Sequence, residues 1–329
     1  MCNRVIVELR NCCFLISCLI VQLNLVRIFI LNIEQETIQH QLHDYTVQQF
    51  NKKMKYAFQP AHLHWLSLDV VAGALISHVA ANRLPGGNTP ISGWVTVILG
   101  LVVLGIYSLD HLLDNRKPEQ PRTQRHAFTK EYESVIWRVT LGSLALAAAL
   151  SWLIPRQLWE FGGGMVVLVV IYLWGVSKIP TKSHQQALKE PITSLIYAAG
   201  VWGSTWFLGE EISWESIVMG IVFYLLTVQS LLLFSHFEAL NYREVFNLAS
   251  WLKRPATMRI LKGITLFTLA VCLIVFFLTD YRYAQRLSII MIAMSAAHYW
   301  MLLNPEKVVA DERFRLAGEL VFFLPLLVL

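Results

Sequence analysis

Charge is scarce in this chain. Asp, Glu, Lys and Arg together make up 15% of its 329 residues, whereas 56% are hydrophobic. Soluble domains carry roughly a quarter charged residues, so a soluble globular class is excluded and a polytopic membrane protein is expected. No basic stretch is interleaved with aromatics on a soluble domain, which gives nucleic acid no footing. Cysteine is also sparse: Cys2, Cys12, Cys13, Cys18 and Cys272 are the whole set, with no C-x-x-C and no Cys/His spacing suited to zinc. That excludes a disulfide framework and cysteine chemistry. Internal repeats are missing too, as is any pair of Gly/Pro-broken helices in matching halves, the mark of many transporters. Pro180 and Pro191 read as loop residues and Pro155 as a helix end.

The first 53 residues differ from the rest. They hold four of the five cysteines and none of the eleven tryptophans. The run 12–33 is apolar enough to span a bilayer, although Asn24 and Arg27 interrupt it, and a polar segment follows from Glu34 to Lys53. Three readings stand: an additional membrane anchor, a poorly formed signal segment, or translation from Met54. The last is preferred, so the chain divides into an N-terminal extension, 1–53, and a transmembrane domain, 54–329.

About 20 apolar residues are needed to cross the hydrocarbon core. Nine stretches qualify, near 61–83, 90–113, 134–154, 158–177, 190–209, 214–240, 257–279, 283–303 and 314–329. The connections after the second, fourth, sixth and eighth carry Arg116, Lys117, Arg122, Arg125 and Lys130, then Lys178, Lys182 and Lys189, then Arg243, Lys253, Arg254 and Arg259, then Lys307, Arg313 and Arg315. The opposite connections hold Arg83, Arg156, Arg282 and Arg286 beside Glu210, Glu211, Glu215 and Asp280. Cation-rich loops stay in the cytoplasm. The core is therefore expected to start inside and end on the opposite side.

Two polar helix ends face that cytoplasmic side. The second span ends in Asp110 and Asp114, spaced i, i+4 on one face. Ionisable residues at membrane depth are expensive and usually functional. Two acids on one face repel, and a divalent cation relieves the conflict; Mg²⁺ takes one or two carboxylates together with substrate phosphates. A basic loop beside it would hold the remaining phosphate charge. A solvated helix end paired with Arg116 and Lys117 is the simpler alternative. The sixth span ends with His236, Glu238, Asn241 and Glu244. Glu238 and Asn241 can share a face with each other, while Glu244 lies elsewhere on the wheel.

These features resemble the UbiA superfamily of intramembrane prenyltransferases. The stretch "DHLLD" (110–114) matches the last two aspartates of that family's N-D-x-x-D-x-x-x-D motif, with Ile106 and Tyr107 where its first Asn-Asp stands. "PRTQRHAF" (121–128) resembles the T-x-x-R-P stretch, Thr123 and Arg125 being the counterparts and His126 replacing proline. Residues 172–204 resemble the fourth helix, the lysine-containing loop and the Gly-containing fifth helix. The sixth helix departs from the pattern: its usual aspartates are absent, and Glu238 and Glu244 are the only acids at its cytoplasmic end.

The resemblance implies an all-α, nine-transmembrane-helix bundle. It implies transfer of an isoprenyl group from an isoprenyl diphosphate to a small-molecule, lipophilic acceptor. Asp110, Asp114 and Glu238 would serve Mg²⁺. Tyr107, Arg122, Arg125, Lys178, Lys182 and Lys189 would meet the diphosphate, with Asn241 and Glu244 nearby. Trp137, Trp174, Tyr197, Trp202 and Trp206 are candidates to shield an allylic cation. A UbiA-like protein that binds a lipid or partner without catalysis is the main rival, favoured by the missing acids.

Overall fold

The computed structural model describes residues 64–89, 92–116, 124–179, 187–208, 212–241, 247–309 and 313–329. Among these every regular element is helical. In chain order they are α1 (Leu68–Asn82), α2 (Gly93–Asp114), α3 (Gln124–Glu131), α4 (Glu133–Leu150), α5 (Gln157–Lys178), α6 (Lys189–Leu208), α7 (Trp214–Asn241), α8 (Leu248–Leu278), α9 (Arg282–Leu303), α10 (Pro305–Val308) and α11 (Arg313–Leu320), which runs into a 3₁₀ stretch, Val321–Val328.

Among the described residues six helices are long and apolar enough to cross a membrane: α2, α4, α5, α7, α8 and α9. The three other stretches expected to span coincide with α1, α6 and α11 with its 3₁₀ extension. α1 has 15 residues, about 22 Å at 1.5 Å per residue, shorter than a hydrocarbon core of ~30 Å. Pro191, expected in a loop, lies in the first turn of α6. Proline is tolerated there because first-turn N–H groups have no intrahelical partner.

α7 is the central element. It packs on α6, α8, α9 and α11, while α1 packs on α2, α6, α11 and the terminal 3₁₀ stretch. Met219, Val222, Phe223, Leu226, Leu232, Leu233 and Phe237 of α7 are all buried. α4 and α5 flank this core and turn Leu141, Leu146, Val166, Val167, Val170, Ile171 and Trp174 outward, the aspect of lipid-facing helices.

Apolar side chains gain little by leaving lipid for a neighbouring helix, so close packing and interhelical hydrogen bonds hold such bundles together. Both occur here. A Cβ on Gly105 of α2 would stand 2.6 Å from Leu144 of α4, and one on Gly220 of α7 would stand 2.7 Å from the Trp206 ring of α6. Gln229 of α7 donates to Thr265 Oγ1 of α8 at 2.9 Å and accepts from Ser295 Oγ of α9 at 2.9 Å, joining three helices by one side chain.

α8 begins with a capping box between Asn247 and Ser250 and breaks at Lys253, whose φ is 63°. Pro255 follows the break. Its ring and missing N–H forbid an unbroken helix through this point, so the first turn of α8 folds over the end of α7 instead of continuing the long axis.

Candidate functional site

The acids at the end of α2 are brought to a lysine that is 75 residues away in sequence. Lys189 Nζ, at the first residue of α6, lies 3.3 Å from Asp110 Oδ1 and 3.2 Å from Asp114 Oδ2. The i, i+4 spacing aligns the carboxylates on one face, and the ammonium bridges them. The repulsion that suggested a divalent cation is thus relieved by the chain's own cation. Asp114 is buried, and Asp110 and Lys189 keep about a quarter of their side chains exposed at 26% and 25%.

Two guanidiniums adjoin this triad. Arg125 of α3 donates from Nη1 to His111 Nε2 at 3.0 Å. A ring nitrogen that accepts from arginine carries no proton, so the Nδ1 tautomer of His111 follows. Burial, and next the charge of Arg315, push the Arg125 guanidinium below its ordinary range, while Asp114, Asp110 and Glu238 oppose that shift. Arg315 of α11 pairs through Nη2 with Glu238 Oε1 at the end of α7. Glu238 Oε2 in turn accepts from Asn247 Nδ2 at 3.5 Å.

The neighbouring Glu190 fastens the site to α8. Its Oε1 accepts from Ser235 Oγ at 2.6 Å and from the Leu248 N–H at 3.2 Å, so it also caps the first turn of α8. Asn247 Nδ2 donates to Ser235 O at 2.9 Å. Five elements, α2, α3, α6, α7 and α11, therefore bring four acids and three cations to one end of the bundle, with α8 folded over it.

Other expected residues divide. Tyr107 is one turn from Asp110 but faces a neighbouring cavity. Lys178 stands exposed at the last turn of α5, outside the network. Asn241, one turn beyond Glu238, is exposed and donates to Val309 O at 3.5 Å. Arg122, Lys182 and Glu244 lie outside the described residues. Of the aromatic candidates, Trp202 is buried and donates to Ser216 O, and Trp206 donates to Ser216 Oγ. Trp137 lies beneath the Arg116 guanidinium, 5.6 Å from ring centre to cation. Trp174 points outward, and Tyr197 lines the cavity.

Hard carboxylate oxygens on adjacent turns are a donor pair that Mg²⁺ accepts, and here they already hold a cation. Glu238 is engaged by Arg315. Among the described residues no three His, Cys, Asp or Glu side chains are grouped to hold a metal ion.

Sequence reasoning passed over His111, Glu190 and Glu319 and treated Arg315 only as an orienting charge. His111 lies between the two aspartates on α2 and Glu190 directly follows Lys189. Only the folded chain reveals what each one touches.

No family model, curated protein or solved structure matches the chain.

Proposed function

We propose that this chain is an integral membrane protein of the UbiA type that binds an isoprenyl diphosphate at the Asp110–Lys189–Asp114 end of its bundle and transfers the isoprenyl group to a small lipophilic acceptor. α1, α6 and α11 with its 3₁₀ extension would join the six longer helices to make nine spans, with the charged end in the cytoplasm. One observation carries the reading. Lys189 comes from 75 residues beyond Asp114 to meet both matching aspartates, beside Arg125 of the stretch that resembles the family's T-x-x-R-P. A purely solvated helix end would not recruit two distant basic elements.

Lys189, Arg125 and Arg315 supply the positive charge that a diphosphate needs. Arg125 and Arg315 repel each other at a partly buried place, an arrangement that an anion between them would relieve. Asp110 and Asp114 are the residues that would hold Mg²⁺, and the metal would neutralise the leaving diphosphate. Lys189 would then exchange its carboxylate partners for phosphate oxygens. α8, folded over the end of α7, screens the site from water on one side.

The rival reading, a UbiA-like protein that binds a lipid or partner without catalysis, is favoured by one feature: acids and cations already satisfy one another, as in a structural ion network. Diphosphate release separates the two. Purified protein with Mg²⁺ and geranylgeranyl diphosphate should release diphosphate, and Asp110→Ala and Asp114→Ala should each lower the rate by at least a hundredfold while remaining folded. Release that is equal in wild type and the double alanine variant, or absent from both, favours the non-catalytic reading.

A further inference from the structure

Directly inside the charged end lies a second polar site. A small cavity, about 20 Å³ open to water centres, is lined by Tyr107, Thr193, Ser194, Tyr197, Thr227, Ser230, Leu231, Glu319 and Phe322. That is room for about one water molecule or one hydroxyl group. Its position follows from helix geometry. Tyr107 precedes Asp110 by one turn on α2, Thr193 follows Lys189 by one turn on α6, and Glu319 follows Arg315 by one turn on α11. Each of three helices thus serves both the ion cluster and the cavity, with the cavity residues about 5 Å deeper. The helix directions agree, since α2 ends at the charged face and α6 and α11 begin there. Tyr107 lies within electrostatic reach of both Glu319 and Asp110.

The lining is under-satisfied. Ser194 Oγ, Tyr197 Oη and Ser230 Oγ are buried and have no hydrogen-bond partner among the described residues. Buried hydroxyls are nearly always paired, and leaving one unpaired is costly. Three such groups converge on one small space, with Glu319 as its carboxylate. The two threonines are occupied: Thr193 Oγ1 donates to Lys189 O at 2.7 Å and Thr227 Oγ1 to Tyr224 O at 2.7 Å. Packing does not require this polarity, since Phe223 and Phe322 meet the Tyr197 ring through its aromatic faces and edges.

We infer that this cavity seats the hydroxyl of the prenyl acceptor, with Glu319 as the group that takes its proton. The inference rests on the prenyl-transfer reading and names its second substrate class: a neutral O–H nucleophile, an alcohol or phenol. Tyr197 Oη donates to one lone pair of the acceptor oxygen and holds it, which leaves the other lone pair free. The bond between the allylic carbon and the diphosphate oxygen breaks, and its electron pair leaves with the diphosphate. A lone pair of the acceptor oxygen forms the new C–O bond. The acceptor's proton passes to the Glu319 carboxylate, so charge and atoms balance without another reactant.

The test uses geranylgeranyl diphosphate with Mg²⁺ and methanol, whose hydroxyl the cavity has room for, as the probe nucleophile. Wild type should give the methyl ether, or the free alcohol where water takes the same place. Glu319→Gln should lower O-linked product at least tenfold while leaving Mg²⁺-dependent diphosphate binding within twofold. Glu319→Asp should recover part of the rate, and Tyr197→Phe should raise the KM for methanol more than it lowers kcat. Product from Glu319→Gln at the wild-type rate overturns the inference. Binding of the diphosphate by wild type without any O-linked product overturns it too, while the diphosphate-binding reading stands. Failure of wild type to bind the diphosphate removes that reading, and this one with it.

Discussion

Lys189 is placed so that one side chain settles two carboxylates. Its substitution should therefore hurt more than removal of either acid. Lys189→Met leaves Asp110 and Asp114 facing each other in a partly buried site. An unpaired buried charge costs about 3–5 kcal/mol, and the quarter exposure of Asp110 and Lys189 lowers the expected loss to about 1–3 kcal/mol. Asp110→Asn leaves the Lys189–Asp114 pair intact and should cost under ~1 kcal/mol. Adding Asp110→Asn to Lys189→Met should restore stability, because the two sites are coupled. Thermal melts in detergent decide it: a Lys189→Met protein that melts with wild type shows that the lysine does not hold the acids.

The acids were legible in the sequence because an i, i+4 pair lies within one helix and needs no tertiary knowledge. Their lysine was legible only as a loop cation, since nothing local ties residue 189 to residue 110. Glu319 was hidden for another reason. A single acid in an apolar stretch has no periodic signal, and its meaning lies in the one-turn offset from Arg315, visible only when the same offset recurs on α2 and α6.

At the scale of elements, hydrophobic run length placed the helices well. Their helical type followed from the absence of charge over long stretches, and among the described residues six of the nine expected stretches match helices long and apolar enough to cross a membrane. The ends were less legible. The break in α8 is set by Lys253 and Pro255 acting together, and the shortness of α1 by where Ser67 takes a left-handed conformation, φ 56°. Close helix approach was also unreadable, because glycine in an apolar run looks alike whether it faces lipid or a ring.

Gly220 and Gly263 make the comparison. A Cβ on Gly220 would lie 2.7 Å from Trp206 Cζ2 and 2.9 Å from Trp202 Cδ1, while one on Gly263 of α8 meets nothing within 4 Å. Gly220→Ala must displace the Trp202 and Trp206 indoles, which are hydrogen-bonded to Ser216, and should cost about 1–3 kcal/mol. Gly263→Ala should be neutral or stabilise by up to about 1 kcal/mol, the helix-propensity difference. Equal melting temperatures for the two variants would contradict this packing of α6 on α7.

For the whole molecule, the decisive property is which end of the bundle faces which compartment. α7 is 28 residues long, about 42 Å, enough to present its two ends on opposite sides of a bilayer. Ile212 is exposed just before its start, and Asn241 is exposed at its end beside the Glu238–Arg315 pair. Arg116, Lys189, Lys307, Arg313 and Arg315 lie at the same helix ends as Asn241. The positive-inside rule orients such an asymmetry with the cations in the cytoplasm. A protein carrying serine at Cys2, Cys12, Cys13 and Cys18, with buried Cys272 retained, gives a silent background. In intact cells an impermeant maleimide should label Ile212→Cys and spare Asn241→Cys until the membrane is opened. Labelling of both from the same side would mean that α7 does not cross. Labelling of Asn241→Cys alone would put the charged site outside, away from any cytosolic supply of isoprenyl diphosphate and Mg²⁺. The reading of the site as a diphosphate pocket thus depends on a measurement that involves no catalysis.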